Sequence, residues 1–378
     1  MSDDEFDSFS NESELPKTGS TSKTAPQVGR GAGLNPVNRF DKLHIEFERT
    51  DDSGFGDEDP RALEPKLQTE YFTDFSKTIV NENKSPDIGF NFSINPYRGC
   101  EHGCAYCYAR PTHEYLGLSA GFDFESKIFI KKNAAELLKE KLMSKSWVPQ
   151  TIAMSGVTDC YQPLERKLQI TRSCLEVLLQ FKNPVGIITK NALVTRDIDL
   201  LKQLAELNAV SVWISVTTLD PKLCADLEPR TSRPQARLDA IRKLTDAGIP
   251  VGVNIAPVIP GLTDHEMPAI LKATSEAGAK WAGFTPVRLP SSVQPVFLDW
   301  VERNRPDRAS KILTAVKDLR GGNLNDPRFG SRMQGEGPRA EAIANMFQIY
   351  SKKYGFNQSK LKITAEHFCR PGDQLTFF

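Results

Sequence analysis

Six short apolar runs, rich in β-branched residues, alternate with amphipathic helical stretches, and this rhythm constrains the fold more than any other feature. The runs are Phe92 to Asn95, Thr151 to Met154, Val185 to Thr189, Val210 to Val216, Val251 to Ile255 and Trp281 to Phe284. Between them lie NAAELLKEKLMSK, KLQITRSCLEVLLQF, RDIDLLKQLAEL, PQARLDAIRKLTDAG and HEMPAILKATSEAG. Apolar strands separated by helices form parallel βαβ units, because parallel neighbours need a long crossover between them. No Gly-rich dinucleotide fingerprint follows the first strand. Six units in series therefore predict an α/β fold, a partial (βα)6 TIM-type barrel rather than a Rossmann sheet. Asn133 with Glu136 predicts a capping box at the start of the first helix, and Gly248 and Gly278 stop two others. The run KIFIK (Lys127 to Lys131) predicts an accessory strand.

Composition sets the boundaries. Residues 1–60 are rich in Ser, Thr, Asp, Glu, Gly and Pro, and hold too few apolar groups to offset their ordering entropy, so a disordered N-terminal tail is expected. Within it GRGAGLNPVNRF (Gly29 to Phe40) is less random, and its glycines and arginines suit docking, but it too reads as flexible. Residues 61–290 form the expected barrel core. Residues 291–378 form a helical C-terminal extension, in which VFLDWVERN, ASKILTAVKDL and RAEAIANMFQIYSKKYG flank the loop RGGNLNDPRFGSRMQGEG.

The 48 basic and 48 acidic residues cancel, which argues against a broad electrostatic grip on nucleic acid and leaves a local basic groove open. No run reaches the roughly 20 apolar residues of a membrane helix. The acidic start MSDDEFDSFS is no secretory signal, so a cytoplasmic location is expected. There, seven cysteines are thiols or metal ligands rather than disulfides.

Three of those cysteines, Cys100, Cys104 and Cys107, fall within the stretch INPYRGCEHGCAYCYARP (Ile94 to Pro111). It follows the first strand, at the barrel edge where α/β barrels place their chemistry. Gly99 and Gly103 free the backbone to wrap around a bulky group, and clustered thiolates suit a soft metal centre. A structural zinc would need a fourth ligand from His102, His113 or a remote cysteine. Three cysteines on a [4Fe–4S] cluster leave one iron open for a substrate. The residues favour the cluster and leave zinc open.

Cys-x3-Cys-x2-Cys, with the aromatic Tyr106 before the last cysteine, resembles the radical S-adenosylmethionine (SAM) superfamily. CAYCYAR, SGVTDCYQPLE, IITKNALVTRD, SVTTLDPKLCADLEPRTSRPQARLDAI and GIPVGVNIAPVIPG, in that order, are similar to its spore photoproduct lyase and DNA repair photolyase-like branch. The resemblance spans residues 90–290. It implies that Cys100, Cys104 and Cys107 hold a [4Fe–4S] cluster whose open iron chelates SAM. An electron from the cluster then cleaves SAM to a 5′-deoxyadenosyl radical. An electron donor such as reduced ferredoxin or flavodoxin is implied as a partner. Lys190 and Ser215 would hold the SAM carboxylate. Thr158 and Asp159 would accept from its amino group, Tyr106 and Tyr108 would flank cluster and adenine, and Ala256 would touch the adenosine.

Glu228, Arg230, Arg237, Gln162 and Glu165 either order SAM and substrate or form a salt-bridged scaffold. One position departs from the branch. The cysteine with which the lyase returns a hydrogen atom falls on Gly156, and Cys160, four residues on, is the candidate replacement. Cys174, Cys224 and Cys369 read as buried thiols. Nucleic-acid repair or modification is the first expectation, and modification of a small molecule or protein the second. A non-catalytic zinc or iron–sulfur binding module and a simple electron carrier are the rival classes.

Overall fold

The computed structural model describes residues 29–40 and 68–372. Ten strands follow in order: β1 (Glu70–Thr73), β2 (Val80–Glu82), β3 (Phe92–Ile94), β4 (Tyr97–Arg98), β5 (Lys127–Ile130), β6 (Ile152–Met154), β7 (Val185–Thr189), β8 (Val210–Ser215), β9 (Val251–Val258) and β10 (Trp281–Pro286). The main sheet runs β10-β9-β8-β7-β6-β3-β2. Its strands from β3 to β10 are parallel, and β2 is an antiparallel edge. These parallel strands are the six predicted runs, and the sheet stays open between β10 and β2. KIFIK is accessory as expected, forming β5 in a small sheet with β1 and β4.

Register explains why the barrel has two unlike faces. Val185, Ile187, Val210, Val212, Ile214, Val251 and Val253 share one core with Leu175, Leu178, Leu201, Leu204, Ile241, Leu244, Ile270 and Leu271 of the covering helices. Burying each such side chain contributes about 1.5–3 kcal/mol. On the opposite face, pairing aligns Ser93, Ala153, Gly186 and Ser211 in one row of small side chains. A second row on that face brings Ser215 beside Asn254 and Gly283. These two rows are small or polar, and between them on the same face a third row holds Ile188, Trp213, Gly252 and Trp281. Trp213 lies over Gly252, where a Cβ would stand 2.6 Å from its ring.

Gly248 and Gly278 end their helices with φ of +80° and +103°. The capping box does not form. Asn133 precedes the helix Ala134–Met143 at φ −93°, ψ 21°, outside the extended geometry that lets an N-cap side chain reach the first amides.

The flexible reading of Gly29 to Phe40 is corrected. Ala32 and Leu34 are buried against Phe122 and Val296. Asn38 Nδ2 donates to Glu114 O at 2.9 Å, Arg39 pairs with Glu114 at 3.1 Å, and Ser119 Oγ donates to Pro36 O at 2.9 Å. A composition argument counts apolar groups and misses a segment held by its backbone and polar side chains. The disorder expected elsewhere in residues 1–60 lies outside the described residues.

C-terminal helices Val293–Asn304 and Ala309–Asp318 build a second core with Tyr106, Leu227 and Ile259. Helix Pro338–Lys353 lies against the last strand, with Phe347 and Phe284 centred 4.7 Å apart. Between these helices the Gly- and Arg-rich loop bridges the sheet edges. Arg320 donates to Val287 O at 2.8 Å, just past β10. Arg332 Nε and Gly330 N donate to Asp87, between β2 and β3, at 2.6 and 2.7 Å. Among the described residues no helix is long and apolar enough to cross a membrane.

Gly252→Ala should lower stability by about 1–3 kcal/mol, because the new methyl overlaps the Trp213 ring. Urea unfolding of the two proteins should show a lower midpoint at unchanged slope.

Candidate active site

The cysteine loop is shaped by glycines and fixed by neighbouring side chains. Gly99 has φ +75°, and a Cβ there would stand 2.9 Å from both His113 Cε1 and Lys127 O. Cys100 N donates to Phe124 O at 2.9 Å. Gln162 Oε1 accepts from Glu101 N at 2.9 Å and its Nε2 donates to Gly99 O at 3.3 Å, so CYQPLE grips the loop from behind. The buried Arg110 donates twice to Cys104 O, at 3.1 and 2.8 Å, and pairs with Glu125. Burial pushes the Cys104 and Cys107 thiols above their ordinary range.

Both histidines offered as a fourth zinc ligand already have partners, and for His102 one of them is the Cys100 side chain. His102 sets Nδ1 3.4 Å from Asp159 and Nε2 3.2 Å from Asn191 Nδ2. His113 Nε2 lies 2.9 Å from Lys127 O. Among the described residues no three His, Cys, Asp or Glu side chains are gathered as ligands of one ion. Three thiols on one glycine-hinged loop fit a [4Fe–4S] cluster, one thiolate on each of three irons, with the fourth iron left open.

The strand ends bring the predicted SAM residues to one rim. Lys190 follows β7, and its Nζ lies 5.8 Å from the centre of the Tyr106 ring. Ser215 closes β8, and the half-buried Ala256 lies in β9. Asp159 serves this rim differently from the expectation. One of its oxygens accepts from Tyr161 N and Thr189 Oγ1, at 2.9 and 2.7 Å. The other accepts from Lys190 N at 2.8 Å and faces His102. Both carboxylate oxygens are filled, so Asp159 braces the end of β7. Burial opposes its charge, but His102 and these donors hold its carboxyl at about 2. The Thr158 hydroxyl donates to Tyr97 O at 3.0 Å. Tyr108 is half exposed and donates to Gly156 O at 2.8 Å, across the mouth.

Cys160 is not brought to this rim. It is fully buried in the main core, its amide donating to Ser155 Oγ at 2.8 Å and its carbonyl accepting from Thr171 Oγ1 at 2.6 Å, and burial pushes its thiol far up.

LEPRTSRPQAR resolves into a buried network with a helix start at Pro234. Glu228 bonds the Tyr106 hydroxyl, Arg237 and, at 2.7 Å, Thr217 Oγ1. Arg237 Nη1 donates to Ser215 O at 2.8 Å. One ion pair thus fixes the ring beneath Lys190 and the end of β8. Burial would raise the Glu228 carboxyl, but Arg237, Lys190 and Tyr106 hold it at about 2. Glu165 is scaffold: it bonds Tyr97 and accepts from Thr171 N at 3.0 Å and Arg196 at 2.8 Å. Arg230 lies 3.8 Å from Glu101. Sequence reasoning missed Asn191, Thr217, Arg110 and Glu125. The signal available for the last two was an Arg and a Glu flanking the cysteine motif.

Residues 94–274 match the family description "Radical SAM superfamily". A protein of Mycobacterium tuberculosis (strain ATCC 25618 / H37Rv) is 36% identical over 234 residues, 61% of this chain and 69% of its own. The chain belongs to the radical SAM superfamily. A Methanocaldococcus jannaschii relative is 32% identical over 191 residues, covering 50% of this chain and 68% of its own. The "Radical SAM Nalpha-GlyT isomerase" of Pseudomonas phage M6 is 27% identical over 173 residues, 45% of this chain and 34% of its own. Spore photoproduct lyase with bound AdoMet and dinucleoside spore photoproduct superposes with a TM-score of 0.53 at 15% identity, covering 78% of this chain and 82% of the lyase. At that identity the likeness shows a shared radical SAM fold.

Glu228 has its carboxyl below the ordinary 4.5, so its stabilising contribution is complete above pH 4.5 and is lost as pH falls toward 2. Asp159 adds a loss of the same sign between 3.8 and about 2. Urea midpoints measured across that range should fall with pH, and Glu228→Gln should flatten the slope while lowering the neutral-pH midpoint.

Proposed function

We propose that this radical SAM enzyme carries a [4Fe–4S] cluster on Cys100, Cys104 and Cys107, holds SAM along the ends of β7, β8 and β9, and acts on a nucleic-acid component. When bound and reduced, the cluster supplies the electron that splits SAM to methionine and a 5′-deoxyadenosyl radical. The electron comes from a donor such as ferredoxin or flavodoxin.

The Lys190 ammonium carries the SAM reading. It stands over the Tyr106 ring, helps Arg237 hold the Glu228 carboxyl down, and opposes the burial that raises the Cys104 and Cys107 thiols. Among the described residues no carboxylate lies within salt-bridge distance of it. A cation so placed beside the cysteine loop suits the carboxylate of SAM. Ser215, held by Arg237 through its carbonyl, offers its hydroxyl to the same group. Tyr106, locked by Glu228, gives the ligand a fixed aromatic wall, and Ala256 lines the adenosine side.

Two observations support the substrate class. The shared fold includes a lyase solved with a dinucleoside photoproduct. The loop bridging the sheet edges also exposes Phe329, packed on the guanidinium of the buried Arg332 at 4.3 Å. An exposed, braced aromatic ring suits stacking on a base. Cys160 takes no part in SAM cleavage.

Anaerobically reconstituted protein, given dithionite and SAM, should form 5′-deoxyadenosine by chromatography. Cys104→Ala should abolish this and Cys160→Ala should preserve it. Lys190→Ala should weaken SAM binding about tenfold, the loss of one charge-assisted hydrogen bond. Fluorescence anisotropy should show a single-stranded oligonucleotide binding the wild type more tightly than Phe329→Ala. A cluster-loaded protein that leaves SAM intact overturns the enzymatic reading, and equal oligonucleotide binding by Phe329→Ala removes the loop from it.

A further inference from the structure

The proposed reaction leaves one sequence motif unused, GRGAGLNPVNRF, and this segment lies directly on the cysteine loop. Gly31 comes so close that a Cβ there would stand 1.9 Å from Gly103 O and 3.1 Å from Ala105 N. The fully buried Glu125 carboxylate accepts from Gly31 N at 3.1 Å and Ala32 N at 2.8 Å. It also pairs with Arg110, whose guanidinium donates to Cys104 O. Arg30 donates to Glu125 O, and Asn35 Oδ1 accepts from Phe122 N at 2.7 Å. The outer side is equally tight. A Cβ on Gly33 would stand 2.4 Å from Asp299 Oδ2 and 2.5 Å from Arg303, and Arg303 donates to Gly31 O at 3.3 Å. The segment is clamped between the cysteine loop and the C-terminal helix Val293–Asn304.

We infer that Arg30–Leu34 is a strap that belongs to the cluster site: through Glu125 and Arg110 it fixes the backbone at Gly103 and Cys104, so cluster loading and strap docking stabilise each other. This inference rests on the cluster reading above. The physical ground is linkage, since a group that binds only the docked loop favours docking by the same free energy. Glu125 and Arg110 are positioning residues, placed behind a ligand as outer partners of metal sites commonly are. Arg110 carries a fully buried charge whose counter-ion is Glu125. With Glu125 neutralised, that charge would be left without its counter-ion.

The test uses the full chain, reconstituted anaerobically, with iron and sulfide content, amide hydrogen exchange and reduction potential as readouts. In the wild type, Gly31 and Ala32 amides should exchange more slowly once the cluster is loaded. Gly31→Val should lose iron to a chelator about tenfold more readily, the range seen when outer partners of metal ligands are removed. Glu125→Gln should raise the reduction potential. Gly89→Ala, where a Cβ meets nothing within 4 Å, should match the wild type throughout. Should Gly31→Val fail to fold by circular dichroism, Glu125→Gln decides. Unchanged exchange on loading, with wild-type iron retention and potential in both variants, overturns the strap. A wild-type chain that takes up no iron overturns the cluster reading and the strap with it.

Discussion

A carboxylate sealed from water must be met by donors on every side, and three such groups, Glu125, Glu165 and Glu228, hold the site together. Each joins segments far apart in sequence. Glu228 ties the aromatic of the cysteine motif to the end of β8 through Arg237. Glu165 joins Tyr97, beside the cysteine loop, to Arg196 beyond β7. Glu125 connects Arg110 to the backbone of the N-terminal segment. Losing one partner would leave a buried charge unmatched, so the loop's shape is set by electrostatic necessity as much as by apolar packing.

The strands were legible because β-branched residues on the helix-facing side recur at the strand period, and the expected runs agree with the structure within a few residues. The opposite face was harder to read. Ser93, Ala153, Gly186 and Ser211 look unremarkable in sequence, and only register shows them as one row. The cysteine triplet and Lys190 could be placed because motif and strand end coincide. Asp159 could not, since its saturation depends on Thr189 and Lys190, some thirty positions away. Cys160 illustrates the reverse: it closely follows the end of β6 in sequence but is turned into the core by the chain's path.

The N-terminal segment escaped a composition argument for a physical reason. Backbone meets backbone where Gly31 lies against Gly103, and where Gly121 of the barrel lies against Leu34 O of the segment, a Cβ there standing 2.0 Å away. Close backbone contact leaves no hydrophobic signature. The C-terminal helices gave a clearer signal, yet their role emerged only in three dimensions, where they share a core with Tyr106 and Leu227.

The bridge from Val287 through Arg320 and Arg332 to Asp87 has a mechanical consequence. An unclosed sheet is free to splay, with its terminal strands drifting apart as the twist relaxes. Here a span of polar bonds acts as a tie-rod across that gap, so widening the cleft sideways must rupture a shielded ion pair. Anything bulky entering from that flank would have to unfasten the rod first.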